Sequence, residues 1–405
     1  MIIKAGTDRI AGEVALPVSK SEANRGLILA ALSEGQCQIE GSSEAHDSVL
    51  LEKLLKMPAG WLDCEDAGTT LRFLCACCCI REGEWTLTGT RRMQQRPIGP
   101  LVDALRQLGA DIEYLEQNGF PPLRIKGKKL KGGQVVLDSG LSSQYASALL
   151  MIGPVLPEGL SLKLKGPRIS AGYMDLTLRM MASAGVPVQS SSDGYEVPPG
   201  SYRGQIRLGM DYSAASYWFE LLALSPEGGD LLLKGLQPGS GQPDEAVLSV
   251  FEHFGIRSSF TEQGLRIQSG GSLSHELKRF DYDFSGQPDL AQTLACTMAG
   301  LGIAGCLSGL RSLRIKETDR IRALVEELSK LGVSMQEGED HLVLNGSRVR
   351  QQTRPLETHQ DHRMAMSLAP MALVLGELEL LHPEVVKKSY PQFWNEMSHF
   401  FELIV

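Results

Sequence analysis

Two hydrophobic patterns alternate along the chain. In the first, an apolar run of helical length ends at a glycine and gives way to a short strand-like stretch. It occurs at residues 24–32 before Gly35, 69–80 before Gly83, 144–156 before Gly159, 214–224 before Gly229, 290–301 before Gly305 and 362–375 before Gly376. In the second, an amphipathic run is closed by glycine, at 101–108 with Gly109, 176–184 with Gly185, 246–254 with Gly255 and 321–331 with Gly332. A glycine just past a helix supplies the left-handed residue that stops it. Asn118-Gly119, Asp193-Gly194 and Gln263-Gly264 then mark turns into a second strand.

Each unit reads helix–strand–helix–strand–strand, with a period of about 70–75 residues, so six units fit. The first is shortened, because a helix at 51–57 is followed only by Pro58 to Cys64, and a terminal helix is expected over 393–403. Parallel strands joined by helical crossovers predict an α/β architecture.

Composition narrows the function. The chain of 405 residues has a net charge of −8 and is 42% hydrophobic, which suits a soluble protein of two or three domains and gives no reason to expect nucleic acid or an anionic membrane as partner. The first nine residues lack a signal-peptide core. The uncharged run 290–310 carries Gln, Thr, Ser and four glycines and is read as part of the repeat, not as a span. The eight cysteines include Cys75, Cys77, Cys78 and Cys79 on one apolar helical run. Without a second pair or a histidine at matching spacing they read as buried thiols, and a reducing cytoplasm is expected.

The polar residues that break the pattern gather at helix starts, where free backbone N–H groups attract anions. The densest group is Lys316-Glu317-Thr318-Asp319-Arg320, read as a strand-to-helix corner with Thr318 as N-cap and Asp319 in the first turn. Others are Ser19-Lys20-Ser21 with Arg25, Asp66-Ala-Gly68, Arg91 to Gly99, Ser142-Ser143-Gln144, Pro288-Asp289, Asp361-His362-Arg363 and Lys387-Lys388. Asp289 by itself could be no more than a cap. Together the cations Lys20, Arg25, Arg96, Lys316, Arg320, Arg363 and Lys388 stand against two candidate proton movers, Asp289 and Glu317. That balance suits two small, multiply anionic substrates.

These motifs, in this order over essentially the whole chain, resemble the 5-enolpyruvylshikimate-3-phosphate synthase family of enolpyruvyl transferases. The resemblance implies a two-lobed fold of six βαβαββ repeats, three per lobe. One lobe would comprise 1–17 and 209–405, the other 18–208, with the active site in the cleft between them. It implies transfer of the enolpyruvyl group of phosphoenolpyruvate to the 5-hydroxyl of shikimate 3-phosphate in a cytoplasmic monomer, with no cofactor and no metal. Shikimate 3-phosphate would meet Lys20, Ser21, Arg25, Ser142, Ser143, Gln144, Ser170, Asp289, Ser312 and Lys316. Phosphoenolpyruvate would meet Lys20, Gly68, Arg96, Gln144, Arg320, Arg363 and Lys388. Asp289, Glu317 and Lys20 would be catalytic.

The chain departs from the family pattern at Asp66 and Ser312, each where asparagine is usual, and at Phe73, where proline is usual. Two other readings are a sister transferase acting on UDP-N-acetylglucosamine, against which Lys20-Ser21 and Arg96-Pro97-Ile98-Gly99 argue, and a non-catalytic anion-binding relative.

Overall fold

The computed structural model describes residues 1–6, 9–138, 140, 142–166, 171–271 and 277–404. Its contacts divide the chain into two compact units, Val18–Leu208 and a discontinuous one of Met1–Pro17 with Gly209–Val405. Each has its own apolar core.

Among its described residues the 18–208 unit has the α-helices α1 (Lys20–Leu32), α2 (His46–Leu55), α3 (Gly68–Ile80), α4 (Gly99–Gln107), α5 (Ser143–Ile152) and α6 (Ala171–Ser183). Two four-stranded sheets share one plan. In the first, Trp61–Asp63 runs parallel to Gly83–Thr88, which pairs antiparallel with Leu123–Gly127, itself paired with Asp111–Tyr114. In the second, Gly133–Asp138 runs parallel to Leu160–Lys165, followed by Gly194–Val197 and Gln189–Ser190. The shortened repeat is a parallel pair, Cys37–Glu40 with Gly204–Arg207.

The other unit holds α7 (Tyr212–Leu224), α8 (Val247–Glu252), α9 (Ala291–Leu301), α10 (Arg320–Ser329), α11 (His362–Leu368), α12 (Ala372–Leu375) and α13 (Phe393–Met397). Ile10–Ala15, Gly229–Lys234, Gly264–Ser269 and Arg257–Thr261 repeat the four-stranded plan. So do Tyr282–Asp283, Ala304–Ser308, His341–Asn345 and Met335–Glu337. A three-stranded sheet closes the unit, with Ile2–Ala5 between Glu377–Glu379 and Phe401–Ile404.

The sequence pattern explains which helices lie deepest. In α3 every residue from Thr70 to Cys79 is buried, as its continuous apolar run requires. Burial pushes the thiols of Cys75 and Cys77 up to about 12 and raises those of Cys78 and Cys79, so they are inert core side chains. By contrast α10 buries Ile321, Leu324 and Leu328 and turns Arg322 and Glu326 to solvent.

Three expectations from the pattern fail. The terminal helix is only Phe393–Met397, and Phe401–Ile404 is a strand paired with Ile2–Ala5; a partner far away in sequence overrides the local apolar run. The run 362–375 is broken at Ala369–Met371, where Pro370 starts a 3-10 turn. Finally, a 3-10 helix, Arg311–Ile315, precedes Lys316, so the corner is not strand-to-helix, and Asp319 rather than Thr318 is the N-cap of α10, accepting from the Arg322 N–H.

Candidate active site

In the 18–208 unit the polar helix starts form one connected set. Ser19 caps α1, which places Lys20 and Ser21 in its first turn. The Lys20 ammonium lies 3.1 Å from the Asp47 carboxylate at the start of α2. Thr70 of α3 donates to the backbone carbonyl of Asp47 at 3.1 Å. Next to it, Thr69 accepts from the Gln144 amide at 3.0 Å, and α5 is capped by Ser142, with Ser143 buried behind it. A β-carbon on Gly68 would come within 2.7 Å of guanidinium nitrogens of both Arg72 and Arg96, so both cations lie close against this backbone and would have to move for a side chain here. Arg72 donates to the Gly68 carbonyl at 2.8 Å and to Pro97 at 3.1 Å, and Arg96 donates to the Asp66 carbonyl at 3.3 Å. The α3 cap position is Ala67, without a side-chain bond, so Asp66 does not cap this helix.

Arg25 is 3% exposed and is held by neutral groups: Thr177 at 2.7 Å, Ser147 at 3.4 Å and the carbonyls of Ser21 at 2.9 Å and Tyr173 at 3.1 Å. Its guanidinium also lies 5.7 Å from the centroid of the Phe73 ring. Burial, opposed by the charges of Tyr173 and Glu22, brings it down to about 10. Ser170, expected at the shikimate phosphate, lies outside the described residues.

The second set gathers in the other unit around Arg320, 2% exposed. Arg320 donates to Asp361 at 2.6 and 3.3 Å, to Glu317 at 3.0 Å and to Asp289 at 3.2 Å. Burial works against its charge, but the carboxylates of Asp361, Glu317 and Asp289 outweigh that and raise it above the usual arginine value. Asp289 also accepts from Arg363 at 2.8 Å and lies 4.0 Å from the Lys316 ammonium. It sits in the 3-10 turn Pro288–Leu290, whose N-cap is Gln287, and the N-cap of α9 is Leu290. Glu317 is 3.9 Å from the Lys388 ammonium. Asp361 is both the α11 N-cap, bonded to the Arg363 N–H, and the Arg320 partner. So Asp289, Lys316, Glu317, Arg320, Arg363 and Lys388 form one network. Ser312 is buried nearby in sequence, and among the described residues its hydroxyl has no hydrogen-bond partner.

Four members were not singled out as site residues by sequence: Asp47, Arg72, Asp361 and Asp244. Asp361 stands in the sequence only as one of the polar residues at a helix start. Asp47 lies ahead of the helix expected over 51–57; the structure starts that helix at His46, which puts Asp47 in its first turn, and an acid there is too common to mark a site. Asp244 is 2% exposed and takes a hydrogen bond from Ser213, which in turn accepts from Arg363 at 3.3 Å. Burial, then the Asp289 charge, pushes its carboxyl up to about 7.

Lys20 with Asp47 in one unit, and the carboxylates around the buried Arg320 in the other, are the two polar sets of the chain. The EPSP synthase (3-phosphoshikimate 1-carboxyvinyltransferase) family model matches residues 4–57 and 50–397.

The chain belongs to the EPSP synthase family.

A 3-phosphoshikimate 1-carboxyvinyltransferase of Bacteroides fragilis is 44% identical over 393 residues, covering 96% of this chain and 95% of that protein. One of Vibrio cholerae is 35% identical over 419 residues, covering 96% of each. Among solved structures, EPSP synthase of Acinetobacter baumannii has a TM-score of 0.76 at 23% identity, covering 99% of each chain. The enolpyruvyl transferase NikO of Streptomyces tendae has a TM-score of 0.73 at 13% identity, covering 98% of this chain and 97% of that one. At those identities the structural likeness speaks for the fold alone. Membership makes this chain a 1-carboxyvinyltransferase, a transferase of the shikimate pathway. Among the described residues no helix is long and apolar enough to cross a membrane.

Proposed function

We propose that the protein moves the enolpyruvyl group of phosphoenolpyruvate to the 5-hydroxyl of shikimate 3-phosphate and releases phosphate, and that the two residue sets serve this one reaction. The observation that carries the reading is the convergence of two carboxylates, Asp289 and Glu317, on the buried Arg320.

In this reading Ser21 and Arg25 hold the shikimate carboxylate, while Ser142, Ser143 and Ser170 hold its phosphate. Gln144, Lys316 and Ser312 complete that site. Phosphoenolpyruvate meets Lys20, Arg96, Gln144, Arg320, Arg363, Lys388 and the backbone at Gly68. Asp289 takes the proton of the 5-hydroxyl as its oxygen attacks C2 of phosphoenolpyruvate, and a proton is delivered to C3. The resulting tetrahedral intermediate loses phosphate while C3 gives a proton back. Glu317 and Lys20 handle the protons at C3 and at the leaving group. The fixed guanidiniums stabilise the charge that develops, at no cost of reorganisation. No cofactor enters, and the protein acts as a cytoplasmic monomer that binds neither nucleic acid nor membrane.

Running the reaction in deuterium oxide tests the chemistry. Addition–elimination through a transient methyl group puts deuterium into the vinyl position of the product and of recovered phosphoenolpyruvate. A product free of deuterium would rule that route out.

A further inference from the structure

Beside the Arg320 network lies a second polar cluster that the proposed chemistry does not use. Glu327, near the far end of α10, is 1% exposed. One of its oxygens accepts from the Glu357 N–H at 2.7 Å and from the Lys330 ammonium at 2.7 Å, and the other pairs with the His359 ring nitrogen at 2.8 Å. Lys330 also donates to the Pro355 carbonyl at 3.2 Å. Apart from the local Glu327–Lys330 bond, these ties run from the end of α10 to the segment that leads into α11. Within it, His359 and Gln360 adopt φ values of 52° and 56°, a left-handed conformation that residues with a β-carbon hold only when their surroundings impose it. Thr358 anchors the turn by donating to the His382 carbonyl at 3.3 Å and accepting from the Asp361 N–H at 2.9 Å. The next side chain is Asp361, the buried partner of Arg320, the first residue of α10.

We propose that Glu327 and His359 are a positioning pair: by fixing the 357–360 turn they aim Asp361 at Arg320 and Arg363, and so set the affinity for phosphoenolpyruvate. This rests on the reading that Arg320 and Arg363 meet that substrate. The pair depends on charge. The hydrogen bond to Glu327 raises His359 above its ordinary value, against the effect of burial. Burial would raise Glu327, but its bonds to His359, Lys330 and the Glu357 amide outweigh this and hold it low. The ion pair is therefore complete below the ordinary histidine value and is lost as pH rises through the raised one. The other charged groups near the ring are Glu326 of α10, Lys330 just past its end, and Glu357 of the segment itself; Arg354 lines the same hollow, and His382 lies 4.0 Å from the Glu357 carboxylate. Glu326, Glu327 and His359 also place three ligand atoms within 4.8 Å of one another. Arg322 and Lys330 already engage the two carboxylates at 2.7 Å each, so the geometry favours an ion pair over a metal site.

The test is steady-state kinetics over about pH 6–9 for the wild type, His359→Gln, Glu327→Gln and His359→Lys. For the wild type, KM for phosphoenolpyruvate rises on the alkaline side. In His359→Gln and Glu327→Gln that KM is about fivefold higher already at low pH and the alkaline rise is gone, while KM for shikimate 3-phosphate stays within about twofold. His359→Lys restores the low KM and carries it to higher pH. The His359 side chain is 21% exposed and the Glu327 side chain 2%, so His359→Gln is the milder change and serves the test if Glu327→Gln does not fold. A His359→Gln profile that superimposes on the wild type, or a parallel rise in both KM values, overturns the proposal. A wild type with no turnover instead overturns the reading of the site on which it rests.

Discussion

Arg363 donates to the Asp289 carboxylate at 2.8 Å, and Arg320 approaches the other oxygen of the same group at 3.2 Å. A carboxyl group held by two guanidiniums is fixed in orientation, as a base at a substrate hydroxyl must be. Asp289→Asn keeps the size and some of the hydrogen bonding but cannot accept a proton. Turnover is expected to fall about 10²–10⁴-fold, with shikimate 3-phosphate binding retained. Calorimetry together with initial rates checks this; a rate within a few-fold of wild type removes Asp289 as the base.

Glu317 shares the Arg320 guanidinium and faces Lys388 at 3.9 Å. Glu317→Gln is expected to leave shikimate 3-phosphate binding near normal and to cut turnover by about two orders of magnitude or more. Single-turnover kinetics separates the two effects, and unchanged turnover takes Glu317 out of the mechanism.

Arg25 is surrounded by neutral acceptors and its charge is disfavoured by burial, so an arriving carboxylate relieves a cost already present in the free protein. Arg25→Gln should weaken shikimate 3-phosphate binding by about 1.5–3 kcal/mol, roughly ten- to a hundredfold. KM for phosphoenolpyruvate should hold. A titration showing equal loss for both substrates would contradict the assignment.

How much of this was legible beforehand depends on the range of the interaction that decides each element. The repeat was visible because apolar runs and closing glycines are local, and the α3 and α9 runs hold at nearly full length. The C-terminal strand was not, because its identity is set by pairing with Ile2–Ala5 at the other end of the chain. The same division runs through the site. Lys316, Glu317 and Arg320 stand together in sequence and were read together. The pairing of Lys20 with Asp47, or of Ser213 with Asp244, joins separate elements whose residues carry no local mark. Even within the densest motif the local pattern allowed Thr318 or Asp319 as cap, and the structure uses Asp319, one residue on.

Glu220 lies in the core on α7, 0% exposed, and neither of its carboxylate oxygens has a hydrogen-bond partner among the described residues. Burial raises its carboxyl well above the ordinary value. The folded state therefore keeps a proton that the unfolded state gives up, and stability falls as pH climbs from the unfolded carboxylate value towards the folded one. Glu220→Gln removes that slope. Its melting temperature should exceed the wild type's by roughly 2–4 °C per kcal/mol gained near neutral pH and converge with it in acid. A melting-temperature difference that is independent of pH would contradict this.

The account's central claim is that both residue sets serve one transfer between two substrates. Phosphate release on mixing the purified protein with shikimate 3-phosphate and phosphoenolpyruvate, against each substrate alone, tests it most directly. The account predicts release only when both are present. Release from phosphoenolpyruvate alone, or none from the pair while shikimate 3-phosphate still binds, would contradict it.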